Sequence, residues 1–523
     1  MRHQLREDPV VPLARVLAAS LLTTATLSLS AAWANAQNQA TSEQRASRYL
    51  ESIRQQPPLL LAFLKAMPKG GDLHNHLPGA IYAESFIDHA AESGLCVDHT
   101  TSVLIAPPCD PCEKYANKPA IACAYKDHVL YNQIIDAWSM RNWVPGTESG
   151  HDHFFGTFDK FDLASRLHTG EMLAEAASRA AADHVLYLEL MHTADQMQSA
   201  QLGAKVGWVE NLPAMRDKLL SAGLKDIVAS IRKNLDEDEA KMHSILKCGT
   251  QDGDPGCAVT VRFLYQVLRG LPRESVFAQM LTGLELAQAD SRVVGLNLVM
   301  PEDWYIPMHD FDLHMHMLDY LHEIFPKVHI SLHAGELALG LVPPEGLSFH
   351  IRESIERGHA ERIGHGVSVM RETDALQLLR EMAQRGILVE ICLTSNDVIL
   401  GVRGEDHPFP VYRQYGVPLA LATDDEGVNR SDMTNEYLRA VQSYNVNYDD
   451  LKRLARQSLE HSFLPGPSLW EETREFGRVE PCAADDPSRK KRSKGCQKFL
   501  ESSERARTQW ALEVEFTKFE SKF

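Results

Sequence analysis

Eight short apolar runs recur along the chain, and each ends on polar or ionisable residues. They are Asp72–His76, HVLYLEL at 184–190, VTVRFLYQVL at 259–268, VVGLNLVM at 293–300, VHISLH at 328–333, RIGH at 362–365, ILVEICL at 387–393 and PLALATDD at 418–425. Runs of this length and composition read as strands. Most segments between them carry apolar positions at helical spacing, as DALQLLREMAQRG does after the sixth run. Eight strands alternating with helices predict a parallel (β/α)8 TIM barrel. Chemistry in that fold sits at the C-terminal ends of the strands, where the polar residues of this chain cluster. No internal sequence repeat accompanies the pattern.

Other segments fall outside the alternation. The gap between the first two runs is roughly 100 residues, where a single crossover needs a few tens. It holds PPCDPC and the aromatic run His151–Phe161. The pattern divides the chain into a helical extension at 37–66, broken by Pro57-Pro58, a barrel at 67–465 with an insertion at about 83–160, and a C-terminal appendage at 466–523. The appendage ends in CQKFLESSERARTQWALEVEFTKF, which is expected to be a helix.

The first 36 residues follow another pattern. Arg2, Arg6 and Arg15 precede VLAASLLTTATLSLSAAWA and then Ala34-Asn35-Ala36. A basic start, an apolar core and A-x-A predict a secretory signal cleaved after Ala36, giving a secreted or periplasmic protein. Ser and Thr dilute the run, which favours cleavage over an uncleaved anchor. Nine cysteines all follow Ala36. Cys248 and Cys257 flank a turn-rich loop, and Cys482 and Cys496 flank a basic one. Cys96, Cys109, Cys112 and Cys123 cluster in the insertion. Eight cysteines in polar loops of an exported chain read as disulfides, with the pairing inside the cluster open. Cys392, in ILVEICL, reads as a buried thiol.

Charge narrows the partners. A formal net charge of −18 repels nucleic-acid phosphates and anionic membranes. The basic run RKKRSK at 489–494 reads as a solvated loop tied off by Cys482 and Cys496. A small neutral substrate fits this balance better.

Candidate chemistry lies at the strand ends. His74 and His76 alternate on the first strand and so face the same way. Two imidazoles side by side grip a borderline cation such as zinc. Among 23 histidines such pairs arise by chance, and His314 with His316 is one. Three further strand ends add weight: His333-Ala334-Gly335-Glu336, Arg362-Ile363-Gly364-His365-Gly366 and Thr423-Asp424-Asp425-Glu426. So many ionisable groups in one barrel mouth imply a cation or a reaction that uses them. His74, His76, His333 and Asp424 can coordinate one divalent ion. Glu336 stands close enough to exchange a proton, and His365 and Asp425 remain free to orient water and substrate.

HNHLPGA, HAGE, RIGHG, CLTSND and LATDDEG, in this order, resemble the adenosine deaminase family of metal-dependent hydrolases. MPKGGDLHNH, the cysteine-bearing insertion and the leader resemble most its secreted, growth factor type. The resemblance spans about residues 60–460. It implies one Zn2+ per chain on His74, His76, His333 and Asp424. Glu336 is then the proton donor to purine N1, His365 positions the attacking hydroxide, and Asp425 holds hydroxide and purine N7. His76, Met300 and Asp425 are the implied substrate contacts. The implied reaction deaminates adenosine and 2′-deoxyadenosine to inosine and 2′-deoxyinosine. The resemblance also points to a homodimer.

The chain departs from the family pattern at four positions. Pro78 stands where the intracellular members carry an aspartate that contacts the ribose. Met300 replaces a glycine whose N–H binds purine N3, Asn297 replaces an aspartate, and Met191 replaces an arginine. Two rival readings follow: deamination of another aminopurine on the same barrel, or a non-catalytic extracellular nucleoside-binding protein. No lysine follows the fourth strand to bridge a second metal. P-C-x-x-C in PPCDPC also occurs in cytidine-type zinc deaminases, but no H-x-E precedes it here.

Overall fold

A computed structural model describes residues 40–113, 116–146 and 148–523. The expected leader lies outside these residues. All eight expected strands form, as β1 (Gly70–His76), β2 (Val185–His192), β3 (Thr260–Leu268), β4 (Val293–Val299), β5 (His329–Ala334), β6 (Arg362–His365), β7 (Leu388–Ile391) and β8 (Leu419–Leu421). They pair in parallel and in chain order. Regular pairing in β8 stops at Leu421, short of the expected Asp425. The chain nevertheless returns to β1 through Asn75 and Asp424. The His76 N–H donates to the Asp424 carbonyl at 3.0 Å, and the Asp424 N–H donates to the His74 carbonyl at 2.9 Å. The nearly closed (β/α)8 barrel is therefore tied together beside its candidate ligands.

The helices pack by the expected pattern. The helix Ala375–Arg385 buries Leu378, Leu379 and Met382 on one stripe. It stops at Gly386, whose left-handed backbone lets its N–H bond back to the Met382 carbonyl.

Beneath the site lies a buried ionic group. The Arg362 guanidinium reaches Glu189 at 2.5 Å and Glu390 at 2.7 Å, and all three side chains are sealed from solvent. Phe463 stacks over the guanidinium at 3.8 Å. The Tyr187 hydroxyl and the Phe463 N–H both donate to Glu189, each at 2.7 Å. One arginine on β6 thus neutralises Glu390 on the adjacent β7 and Glu189 on β2, which is not its neighbour in the sheet.

The appendages cover the outside. The expected C-terminal helix is two helices, Lys494–Ser502 and Glu504–Glu520. Ser503 breaks them: its backbone is extended, and its hydroxyl caps the second helix by accepting from the Ala506 N–H. The second helix packs against the N-terminal helices, with Phe63 edge-on to Phe519 at 5.0 Å. The disulfides pair Cys96–Cys109, Cys112–Cys123, Cys248–Cys257 and Cys482–Cys496, and Cys392 is a buried free thiol. Among the described residues, no helix is long and apolar enough to cross a membrane.

Arg362→Met should strand two buried carboxylates. We expect about 3–5 kcal/mol of lost stability, read from urea unfolding midpoints.

Candidate active site and metal centre

The barrel brings the sequence-predicted groups together. His74 Nε2 lies 3.0 Å from His333 Nε2, and His76 Nε2 lies 3.2 Å from the same atom. Asp424 Oδ1 stands 3.4 Å from both His74 Nε2 and His76 Nε2. Nitrogens held at about 2.0–2.1 Å from one zinc in a tetrahedral shell stand about 3.3 Å apart. These four spacings are close to that shell, and the ligand atoms fall into two overlapping groups, His74 with His333, His365 and Asp424, and His76 with Asp424 and Asp425. Imidazole lone pairs this close repel unless a proton or a cation lies between them. His365 also brings a ring nitrogen into this group, within 4.8 Å of the ligand atoms of His74, His333 and Asp424.

Each candidate ligand histidine is oriented from behind. His74 Nδ1 is 2.6 Å from Glu390 Oε2, His333 Nδ1 is 2.7 Å from Asn297 Oδ1, and His76 Nδ1 is 3.1 Å from Gln266 Oε1. The His333 backbone N–H also donates to Asn297 Oδ1, which settles which amide atom faces the ring. With Nδ1–H donated rearward, each Nε2 lone pair points to the common centre. Asn297, where the family pattern has an aspartate, thus supplies this acceptor. The Ser395 hydroxyl donates to Asp424 Oδ2 at 2.6 Å and leaves Oδ1 toward the histidines.

Two glycines make room. A Cβ on Gly79 would lie 1.6 Å from Asp425 Oδ1, and one on Gly364 would lie 2.5 Å from His74 Cε1. By contrast Met300, at the family's glycine position, keeps a left-handed backbone with φ of 84°. A non-glycine residue there stores strain, which clusters at functional sites. Its carbonyl accepts from Arg269 Nε at 3.0 Å, and its thioether packs over Gly270. The fourth departure, Met191, is buried against Leu264, Val299 and Phe463 and does not line the cavity.

Electrostatics separates the acids. Burial raises Glu336 well above the usual carboxylate range, and Asp424 and Glu302 add to the shift. Burial and Asp424 raise Asp425 in the same way. Asp424 itself is lowered: burial opposes its charge, but His74 and His365 outweigh it. Burial lowers His76 to about 4, and lowers His333 with help from His74 and His76. Glu336 is anchored by its own N–H, which donates to Glu302 Oε2 at 2.6 Å. Arg269 ties the same loops by donating to the His333 carbonyl at 3.1 Å.

The groups open on a cavity of about 350 Å³. Phe154, Phe155, Phe158 and Phe161, from the insertion's helix Gly150–Ser165, line it with Met300 and Trp304 as an apolar wall. Pro78, His192, Thr193 and Gln196 also line it. Glu336 Oε1, His365 Nε2 and Asp425 Oδ1 are buried there with no hydrogen-bond partner in the protein. A larger cleft of about 1100 Å³ lies at the opposite ends of the strands and contains none of these groups.

Sequence reading missed Glu390, Gln266 and the Arg269–Glu302 pair. A glutamate inside the apolar run ILVEICL was the available signal for Glu390. Gln266 sits in β3 and Arg269 just after its end, where the other residues gave no such contrast.

Comparison with known proteins agrees with this geometry. The adenosine deaminase family model matches residues 149–471. The chain belongs to the adenosine deaminase family. That match begins after β1, which carries His74 and His76. Adenosine deaminase of Clostridium perfringens is 32% identical over 135 residues, which cover 26% of this chain and 37% of that protein. The chain thus spans little more than a third of that relative's length. Adenosine deaminase of Mycobacterium avium is 26% identical over 297 residues, 53% of this chain and 76% of that one. The apo structure of the N6-methyl-AMP deaminase from Arabidopsis thaliana superposes with a TM-score of 0.50 at 21% identity, over 77% of this chain and 94% of that one, a likeness of fold. The family is metal-dependent, and the His/Asp cluster suits a metal ion.

Glu390→Gln should weaken divalent-metal affinity about 10–100-fold and, because Glu390 also answers Arg362, lower stability as well. A competition titration against a chromogenic chelator measures it.

Proposed function

We propose that the chain is a secreted, zinc-dependent deaminase of adenosine and 2′-deoxyadenosine. Water and the aminopurine give the 6-oxopurine nucleoside and ammonia. The observation that carries this reading is one cavity holding a three-nitrogen, one-oxygen ligand set beside a carboxyl that favours its proton. Three imidazoles with one carboxylate suit zinc by donor softness and number. Bound there, zinc would lower the pKa of water and so supply the nucleophile.

The chain's own residues do the rest. Glu336, protonated by its surroundings, donates to purine N1 and so weakens the ring's aromatic resistance to addition at C6. Asp425 and His365 orient the incoming water, and Asp425, whose carboxyl burial keeps protonated, donates a hydrogen bond to purine N7. The Met300 main-chain N–H remains available to purine N3. All of the expected acid and ligand residues are present, which weighs against a purely binding role.

The cavity rim favours a nucleoside over a nucleotide. Arg166 is the only lysine or arginine among its lining residues, and it is paired with Asp162 at 2.7 Å. Asp159 stands nearby on the same helix turn. A 5′-phosphate would meet two carboxylates and one neutralised guanidinium. A second reading, a 6-aminopurine nucleotide as substrate, draws on the fold likeness to the Arabidopsis enzyme, and the rim charge opposes it. Four disulfides support export, and the growth factor type and a homodimer belong to the same reading.

Ultraviolet-monitored deamination tests the proposal. Adenosine and 2′-deoxyadenosine should be turned over, and AMP should be at least about 100-fold poorer. Glu336→Gln should lose about 10²–10⁴-fold in kcat. Preference for AMP or adenine would move the protein to a neighbouring specificity.

A further inference from the structure

We propose that Asn396 and His407 are positioning residues that fix the tautomer of His365, so that His365 offers the cavity an N–H and not a lone pair. The consequence for catalysis rests on the deaminase reading above. The hydrogen bonds themselves belong to the fold.

It starts from a group with no freedom. The Phe409 backbone N–H can only donate, and it donates to His407 Nδ1 at 3.1 Å. His407 Nδ1 is therefore unprotonated, and the ring proton of the neutral imidazole sits on Nε2. Burial keeps this ring neutral, lowering His407 to about 4. His407 Nε2 lies 3.1 Å from Asn396 Oδ1 and donates to it. That contact fixes the amide: Asn396 must turn its NH2 to His365, and its Nδ2 lies 3.0 Å from His365 Nδ1. His365 Nδ1 thus accepts, and the proton of the neutral ring is on Nε2. Asn396 and His407 are both buried, so water does not compete for these bonds.

The contrast with the other three histidines is the point. His74, His76 and His333 each meet an oxygen acceptor at Nδ1, which frees Nε2 to bind a cation. His365 meets a donor at the same ring position. An Nε2–H cannot bind a cation, although the ring nitrogen lies within the ligand group. It can donate to the oxygen of an attacking water. Its Nε2 has no protein partner and stands 3.6 Å from Glu336 Oε1, so the N–H is held ready beside the acid. One helix, Leu393–Leu400, therefore sets two roles from adjacent residues: Ser395 turns Asp424 to the metal, and Asn396 turns His365 away from metal ligation.

The test combines nitrogen-15 NMR of histidine-labelled, metal-loaded protein with kinetics. Signals of His365 are assigned by their loss in His365→Gln. Wild type should show His365 protonated at Nε2 and unprotonated at Nδ1. In Asn396→Asp the carboxylate accepts from both rings, so the His365 pattern should reverse. Metal content should stay near one ion per chain, KM should move less than about 3-fold, and kcat should fall about 10²–10⁴-fold, as wrong tautomers do in other enzymes. His407→Gln keeps both an N–H for Asn396 and an acceptor for Phe409, and should hold kcat within about 10-fold, whereas His407→Leu should behave like Asn396→Asp. A proton on His365 Nδ1 in wild type would overturn the proposal. So would Asn396→Asp with a reversed pattern and unchanged kcat. Failure of wild type to deaminate any aminopurine would instead remove the deaminase reading, and the NMR pattern would still decide the relay.

Discussion

Three imidazole nitrogens and a carboxylate oxygen gathered in a buried barrel mouth, with neighbouring contacts of 3.0–3.4 Å, constrain everything else in this structure. Lone pairs so close are unfavourable neighbours, and desolvation removes the water that would screen them. A divalent cation converts the repulsion into coordination. The surrounding residues are arranged as if to hold that geometry in advance. Glu390, Asn297 and Gln266 fix three ring orientations, and Ser395 fixes the carboxylate.

The same contacts also complete the fold. β1 and the chain after β8 meet through His74, His76 and Asp424, so the closing of the barrel and the assembly of the ligand set are one event. Glu390 belongs to both levels: it orients His74 and it answers the buried Arg362. Stability and metal affinity are therefore coupled through one carboxylate. The strained Met300 and the close-approach glycines Gly79 and Gly364 fit the same picture of a site held tightly by its frame.

Much of this was legible from residue patterns. Short apolar runs ending in His, Glu and Asp marked all eight strands and pointed to one face, because strand ends and chemistry coincide in this fold. His74, His76, His333, Glu336, His365, Asp424 and Asp425 were each found that way, and the structure brings them to one place. What stayed hidden depends on side-chain direction across the barrel. Gln266 lies in an ordinary strand and Arg269 in the turn that follows it, and nothing in their neighbours says they face the site. Asn396 and His407 are 11 residues apart in sequence, and their relay appears only once the helix after β7 and the loop beyond it are folded together. The break at Ser503 had a signal in Ser502-Ser503, since serine favours helix N-caps, but most of the surrounding segment favours helix. Disulfide pairing inside the cluster likewise needed the insertion's fold.

The most direct test of the account is X-ray absorption spectroscopy at the metal edge of the loaded protein. The account predicts one zinc with three imidazole nitrogens and one carboxylate oxygen from the protein, at about 2.0–2.2 Å, and no sulfur in its shell. A four-imidazole shell would contradict the assignment of His365. A shell of six oxygens, or one containing sulfur, would contradict the site itself.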